Sequence, residues 1–107
     1  MSGLKSKRKG YGYENEMVHA HKDRGVPCKR NALSGALPDD RGDLIIGPAH
    51  GLTAECKRFK TGLGKLYDAI DQDGCDIVFA RGDNKPTIVA MPAETYWWFL
   101  EQLGWVE

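Results

Sequence analysis

Glu55, Cys56 and Lys57 set an acid and a base two positions apart, twelve residues after another acid, Asp43. In an extended strand alternate side chains share a face, so Glu55 and Lys57 point one way and Cys56 the other. If Asp43 opens the neighbouring strand, its carboxylate converges on Glu55. Two such carboxylates, completed by a substrate phosphate and waters, suit a hard divalent cation. A surface Glu and Lys at i and i+2 is also a common accident of any strand, so the spacing alone leaves both readings open.

The elements that must hold these residues can be read from periodicity and punctuation. Residues 1–9 carry Lys5, Lys7, Arg8 and Lys9 among Ser and Gly, which describes a flexible basic arm, leaving residues 10–107 as one domain. From Tyr11 to Arg24 apolar residues recur at helical spacing, and Gly25 supplies the stop. On a wheel of about 100 degrees per residue, Glu14 falls within the arc of Tyr11, Tyr13, Met17 and Val18, whereas Glu16, His19 and Asp23 lie opposite. A carboxylate turned toward a core costs several kcal/mol unless it is paired with a cation or bound to metal. Both remain open for Glu14, as a salt-bridged residue or as part of a site.

Strands are expected at Val26 to Asn31, Gly42 to Ile46 and Leu52 to Phe59, the last two joined by a turn at Gly47, Pro48 and Gly51. Residues 33–41 read as a loop. A second helix comes next over Thr61 to Gln72, stopped by Gly74, then strands at Cys75 to Arg81 and Pro86 to Ala90. Pro92 and Glu94 open a final helix that Gly104 closes. The order α-β-β-β-α-β-β-α implies an α/β protein with a mixed sheet and helices on its faces.

The 107 residues carry no net charge, which at first argues against nucleic acid as a partner. The distribution corrects this. Residues 1–35 hold eight Lys or Arg against three Asp or Glu, and residues 36–107 hold seven against twelve. A basic front half suits phosphates, and acids in the back half suit metal. Cys28, Cys56 and Cys75 lack any CxxC spacing and read as reduced thiols. With no apolar stretch long enough to span a membrane and no signal-peptide core, the expected location is the cytoplasm.

In order along the chain, Lys9 and Gly10 before Glu14, Gly25 before Arg30, Ser34, Gly42 with Asp43, and Glu55-Cys56-Lys57 form a pattern running from Lys9 to about Gln102. It resembles the small Holliday junction resolvases of archaea and phages, in the PD-(D/E)xK nuclease superfamily. The resemblance implies a restriction endonuclease-like three-layer α/β/α fold with a central mixed five-stranded sheet. It also implies a catalytic set of Glu14, Asp43, Glu55 and Lys57. Two departures stand out. Asn15 occupies a position where the family often has Arg, and Pro38-Asp39 offers a literal PD that competes with Asp43. Asp43 is preferred because it touches a strand, whereas Asp39 and Asp40 lie in a loop.

The activity this resemblance implies is that of a metal-dependent endonuclease that cuts branched DNA, resolving four-way junctions by paired symmetric nicks. One or two Mg²⁺ ions per site, replaceable by Mn²⁺, would activate water and neutralise phosphoryl charge. Asp43 and Glu55 would be direct ligands, the Cys56 backbone carbonyl a third, and Glu14 a ligand directly or through water. Lys57 would orient or deprotonate the water or stabilise transition-state charge. Arg30 and Ser34 would contact phosphate beside the site, although Ser34 can also be read as a turn residue. Lys7, Arg8, Lys9, Lys60 and Lys65 would add salt-sensitive binding. A two-fold junction cut on two strands suits a homodimer. In the last helix Tyr96, Phe99, Leu100 and Leu103 form the expected buried stripe, leaving Trp97 and Trp98 for an interface or for packing within the chain. No organic cofactor and no membrane partner is expected, and the host would be a prokaryotic cell or a phage-infected one.

Other signals carry less. His19 and His21 lie about 200 degrees apart on their helix and cannot share a metal. His50 reads as a turn residue. Asp71, Asp73 and Asp76 lack the distal Glu of a calcium loop. Gly64-Lys65 is no P-loop, because Phe59 stands where the first glycine belongs. The rivals to junction resolution are a nuclease with the same site acting on duplex or flap DNA, and a DNA-binding module without catalysis.

Overall fold

A computed structural model describes residues 2–31, 42–48 and 51–107, with side chains from residue 12 onward and without that of residue 73. Its elements keep the expected order: α1 Ser2–Asp23, β1 Cys28–Arg30, β2 Leu44–Ile46, β3 Leu52–Ala54, α2 Gly64–Asp73, β4 Val78–Ala80, β5 Ile88–Ala90 and α3 Ala93–Gln102. The chain is a small α/β protein that forms two compact units. One consists of Met1–Arg58 with Gly104–Glu107, the other of Phe59–Leu103. The strands pair as two antiparallel sheets, β1-β2-β3 and β4-β5. The mixed five-stranded sheet expected from the alternation of helices and strands is not formed among the described residues, because no ladder joins the two sets.

In the first unit, Cys28, Lys29 and Arg30 face Ile46, Ile45 and Leu44, and these face Leu52, Thr53 and Ala54. Alternation sends Cys28, Leu44 and Ile46 to the covered face, where all three are buried with Val18 of α1 and Val26. Each such aliphatic side chain contributes about 1.5–3 kcal/mol on burial. His21 shares this core at 1% exposure. Its Nδ1 donates to the Met17 carbonyl at 2.6 Å, and burial pulls its pKa below the ordinary 6.5, aided by the charge of Arg24 and opposed by that hydrogen bond. The C-terminal tail closes the unit. The Glu107 N–H donates to the Gly25 carbonyl at 2.7 Å, and the Trp105 ring lies against Gly47 so closely that a Cβ there would sit 2.5 Å from it. Gly47 also has φ +91°, which only glycine adopts without strain.

Helix α1 begins at Ser2, so its backbone takes in the residues expected to form a basic arm. Lys and Arg are good helix formers and no proline interrupts the run. The strands are three residues each, shorter than expected, and two of these differences matter for the site: Asp43 lies one residue before β2, and Glu55, Cys56 and Lys57 come after β3 as unpaired chain.

In the second unit, α2 ends at Gly74 in the left-handed conformation, as the sequence suggests, and packs against β4. Strands β4 and β5 pair from Val78↔Ala90 to Ala80↔Ile88. Pro92, extended at φ −61°, precedes α3, whose first turn carries Glu94. Leu100 is the fully buried residue of α3, with Tyr96 and Trp97 half-buried. Phe99 and Leu103, expected in the buried stripe, are 37% and 60% exposed. The inward arc of this helix is centred nearer Trp97 than the sequence pattern indicates.

Candidate active site around Asp43 and Glu55

The first unit holds Glu14, Arg30, Asp43, Glu55, Cys56 and Lys57, and the backbone explains how they meet. The Asn31 N–H donates to the Asp43 carbonyl at 2.8 Å, carrying the β1–β2 ladder one residue past Arg30↔Leu44. The Asn31 side-chain amide donates to the Gly42 carbonyl at 3.4 Å. Gly42 itself has φ +82°, and a Cβ on it would come within 2.9 Å of the Ala54 carbonyl. Glycine is therefore what lets the chain enter β2 alongside the end of β3.

On the β3 side Asp43 is tied to the residues on both flanks of Glu55. Its N–H donates to the Ala54 carbonyl at 2.6 Å, and its carboxylate Oδ2 accepts the Cys56 N–H at 2.9 Å. A side-chain oxygen thus stands where a strand would present a backbone carbonyl, and the ladder stops at Ala54. These bonds hold the backbone on either side of Glu55 against Asp43. The Asp43 carboxylate also has a structural task here, satisfying the Cys56 N–H.

Lys57 Nζ lies 3.8 Å from Glu55 Oε2, which places both side chains on one side as the Glu-x-Lys spacing requires. The two are 68% and 54% exposed. Such a solvated pair contributes no more than about 1 kcal/mol to stability. The intervening Cys56 is half-buried, and its thiol is pushed up to about 11, first by burial and then by the charges of Asp43, Glu14, Cys28 and Glu55. Three acids therefore lie within electrostatic reach of one sulfur.

Glu14 answers the question raised by its place on the helix. Its Oε2 accepts the Arg30 Nε–H at 3.1 Å, with the Glu14 side chain 18% and that of Arg30 41% exposed. Arg30, expected to contact phosphate, compensates a partly buried carboxylate. The pairing supplies the cation that the wheel position demanded, and it needs no metal to do so.

The remaining expected site residues divide into two groups. Lys60 and Lys65 are exposed in the second unit, as is Trp98, whereas Trp97 is half-buried. Ser34, Asp39 and Asp40 lie outside the described residues, as does His50, and so do the side chains of Lys7, Arg8 and Lys9. Asn31, pinned to both Gly42 and Asp43, does not stand out in the sequence. It is the residue after Arg30 opposite Asp43, so the strand register would have found it.

No family model, no curated protein and no solved structure matches the chain.

The donor chemistry of the pair fits a hard divalent ion. Asp43 and Glu55 are carboxylates on adjoining stretches of chain at the end of β3, and the exposure of Glu55 leaves room for waters and a phosphate oxygen. Among the described residues no group of three His, Cys, Asp or Glu side chains is gathered about one point. Glu14, the third acid within reach of the Cys56 thiol, is paired with Arg30.

Proposed function

We propose that the protein is a Mg²⁺-dependent endonuclease of the PD-(D/E)xK type that resolves four-way DNA junctions by paired nicks. The observation that supports this most is the bracketing of Glu55 by Asp43, with Lys57 on the same side as Glu55. Asp43 and Glu55 would hold the ion, with the Cys56 carbonyl beside them and Glu14 acting from the helix. Mg²⁺ bound there supplies a lowered water pKa and charge neutralisation at the phosphoryl oxygens. Lys57, free to move at 68% exposure, orients the attacking water or meets the charge that develops on phosphate. Arg30 can exchange its bond to Glu14 for a phosphate oxygen, because it is a surface-accessible planar fork.

Lys60, Lys65 and the basic residues near the N-terminus would add phosphate contacts that weaken with salt. The reading carries with it the restriction endonuclease-like three-layer α/β/α fold with a five-stranded mixed sheet, finer than the two antiparallel sheets formed by the described residues. It also carries a homodimer, since a two-fold substrate needs two sites, and the exposed cross-strand pair Phe79 and Val89 of β4 and β5 offers an apolar face for it. The place of action would be the cytoplasm of a prokaryotic or phage-infected cell; no helix among the described residues is long and apolar enough to cross a membrane.

The deciding experiment incubates the protein and Mg²⁺ with four-way junction, flap, linear duplex and single-stranded DNA. Paired symmetric nicks confined to the junction are expected. Equal cutting of plain duplex would assign the same site to a different substrate, and binding without cleavage would reject catalysis.

A further inference from the structure

A second concave feature lies wholly within the second unit and takes no part in the proposed chemistry. It is a cleft of about 420 Å³ between the start of α3 and the chain entering β4, lined by Asp76, Ile77, Glu94, Thr95, Trp98 and Phe99. Glu94 and Trp98 stand one helical turn apart on α3 and so share a face. The Trp98 indole is 54% exposed, and the Phe99 ring meets it edge-on at 5.1 Å between centroids. Among the described residues neither Asp76 nor Glu94 takes part in an ion pair. Glu94 in the first turn of α3 favours the helix dipole, but that role accounts for neither Asp76 nor the exposed indole beside it.

The lining has the two properties that select one chemical group. Two carboxylates call for a cation, and an open indole face offers a surface on which a flat cation stacks. The second unit is acidic, with seven Asp or Glu against four Lys or Arg over residues 59–103. That balance favours a basic polypeptide at the cleft. We infer that this cleft is a docking site for an arginine side chain presented by a partner protein, the guanidinium stacking on Trp98 between the carboxylates of Asp76 and Glu94. Arginine is specified over lysine because the planar guanidinium can stack and offer a carboxylate two parallel N–H donors, whereas an ammonium is a strongly hydrated point charge. The site is independent of the proposed catalysis, because it uses none of the residues assigned to the ion, the water or the DNA phosphates.

The test titrates ¹⁵N-labelled full-length protein with the blocked tripeptides Ac-Ala-Xaa-Ala-NH₂, with Xaa arginine, lysine or the neutral isostere citrulline. The readout is the indole N–H resonance of Trp98, assigned with Trp98→Phe. The arginine peptide should shift that resonance saturably and bind about fivefold or more tightly than the lysine or citrulline peptide. The double variant Asp76→Asn with Glu94→Gln should lose the preference while still unfolding cooperatively, both residues being exposed and the lost helix-dipole contribution of Glu94 amounting to no more than a few degrees in the transition. Equal binding of citrulline, equal binding of lysine, or an unmoved Trp98 resonance would each overturn the assignment. So would a Trp98 shift that tracks protein concentration without peptide, which would give the cleft to a second copy of this chain.

Discussion

Replacing Arg30 with Ala should destabilise the protein far more than a surface ion pair warrants, because the partner left behind is the less accessible one. Glu14 keeps 18% of its side chain exposed and Arg30 41%, with 3.1 Å between Oε2 and Nε. Exposed pairs are worth about 0.2–1 kcal/mol, whereas stranding one charge of a buried pair costs about 3–5 kcal/mol. Glu14 lies nearer the buried end, so Arg30→Ala should cost about 2 kcal/mol, lowering Tm by roughly 8–16 °C for a domain of this size. Glu14→Gln removes the charge from the enclosed side and leaves the charge on the more exposed Arg30, so it should cost about 1 kcal/mol or less. The double variant should then be less damaged than the sum of the two by about 1 kcal/mol. Urea unfolding of the four proteins, with constant m-values, measures the cycle. If Arg30→Ala costs under about 0.5 kcal/mol, or no more than Glu14→Gln, then Arg30 is not what compensates the helix carboxylate.

The same geometry sets three further outcomes. Lys57→Ala should change stability by less than about 0.5 kcal/mol, since its pair with Glu55 is solvated, while abolishing junction cleavage; a large stability loss would make the pair structural. His21 has a folded pKa below its unfolded value, so the unfolded chain binds the extra proton and stability is lost as pH falls below 6.5. The slope approaches about 1.4 kcal/mol per pH unit for one proton, and it should flatten in His21→Gln, as denaturation at pH 7, 6 and 5 would show. With its thiol held at about 11 against an ordinary 9.0, Cys56 should alkylate near neutral pH about a hundredfold more slowly than a free thiol. The exposed Cys75 should be modified first, and mass mapping after iodoacetamide that finds Cys56 leading would refute that order.

The element order was legible because its signals are local. Helix periodicity, the stops at Gly25, Gly74 and Gly104 and the apolar runs of β2 and β4 each act within a few residues. Sheet membership depends on contacts between distant segments, which alternation of helices and strands does not specify, and the expectation of one mixed sheet therefore met two antiparallel ones. At the site, Glu55 and Lys57 share a side as the i, i+2 spacing suggests, seen in their 3.8 Å contact, although both lie past the end of β3. The wheel position of Glu14 required a partner, which could be a cation or a site metal. Only the position of Arg30, sixteen residues away, identified the one it has. The Cys56 N–H bonded to the Asp43 carboxylate was beyond reach of spacing, because it depends on where the ladder breaks.

The proposed catalysis depends on Asp43 as an ion-holding acid rather than a strand-end acceptor. Asparagine at that position keeps a carbonyl oxygen for the Cys56 N–H, so the fold should survive while the charge is lost. Single-turnover cleavage of an end-labelled four-way junction in Mg²⁺, wild type against Asp43→Asn, separates the two roles. The wild type should make paired symmetric nicks that disappear when Mg²⁺ is chelated, and the variant should cut at least about a hundredfold more slowly with an unchanged melting transition. Asp43→Asn cutting at the wild-type rate, or a wild type that cuts no DNA, would contradict an ion-holding role for Asp43.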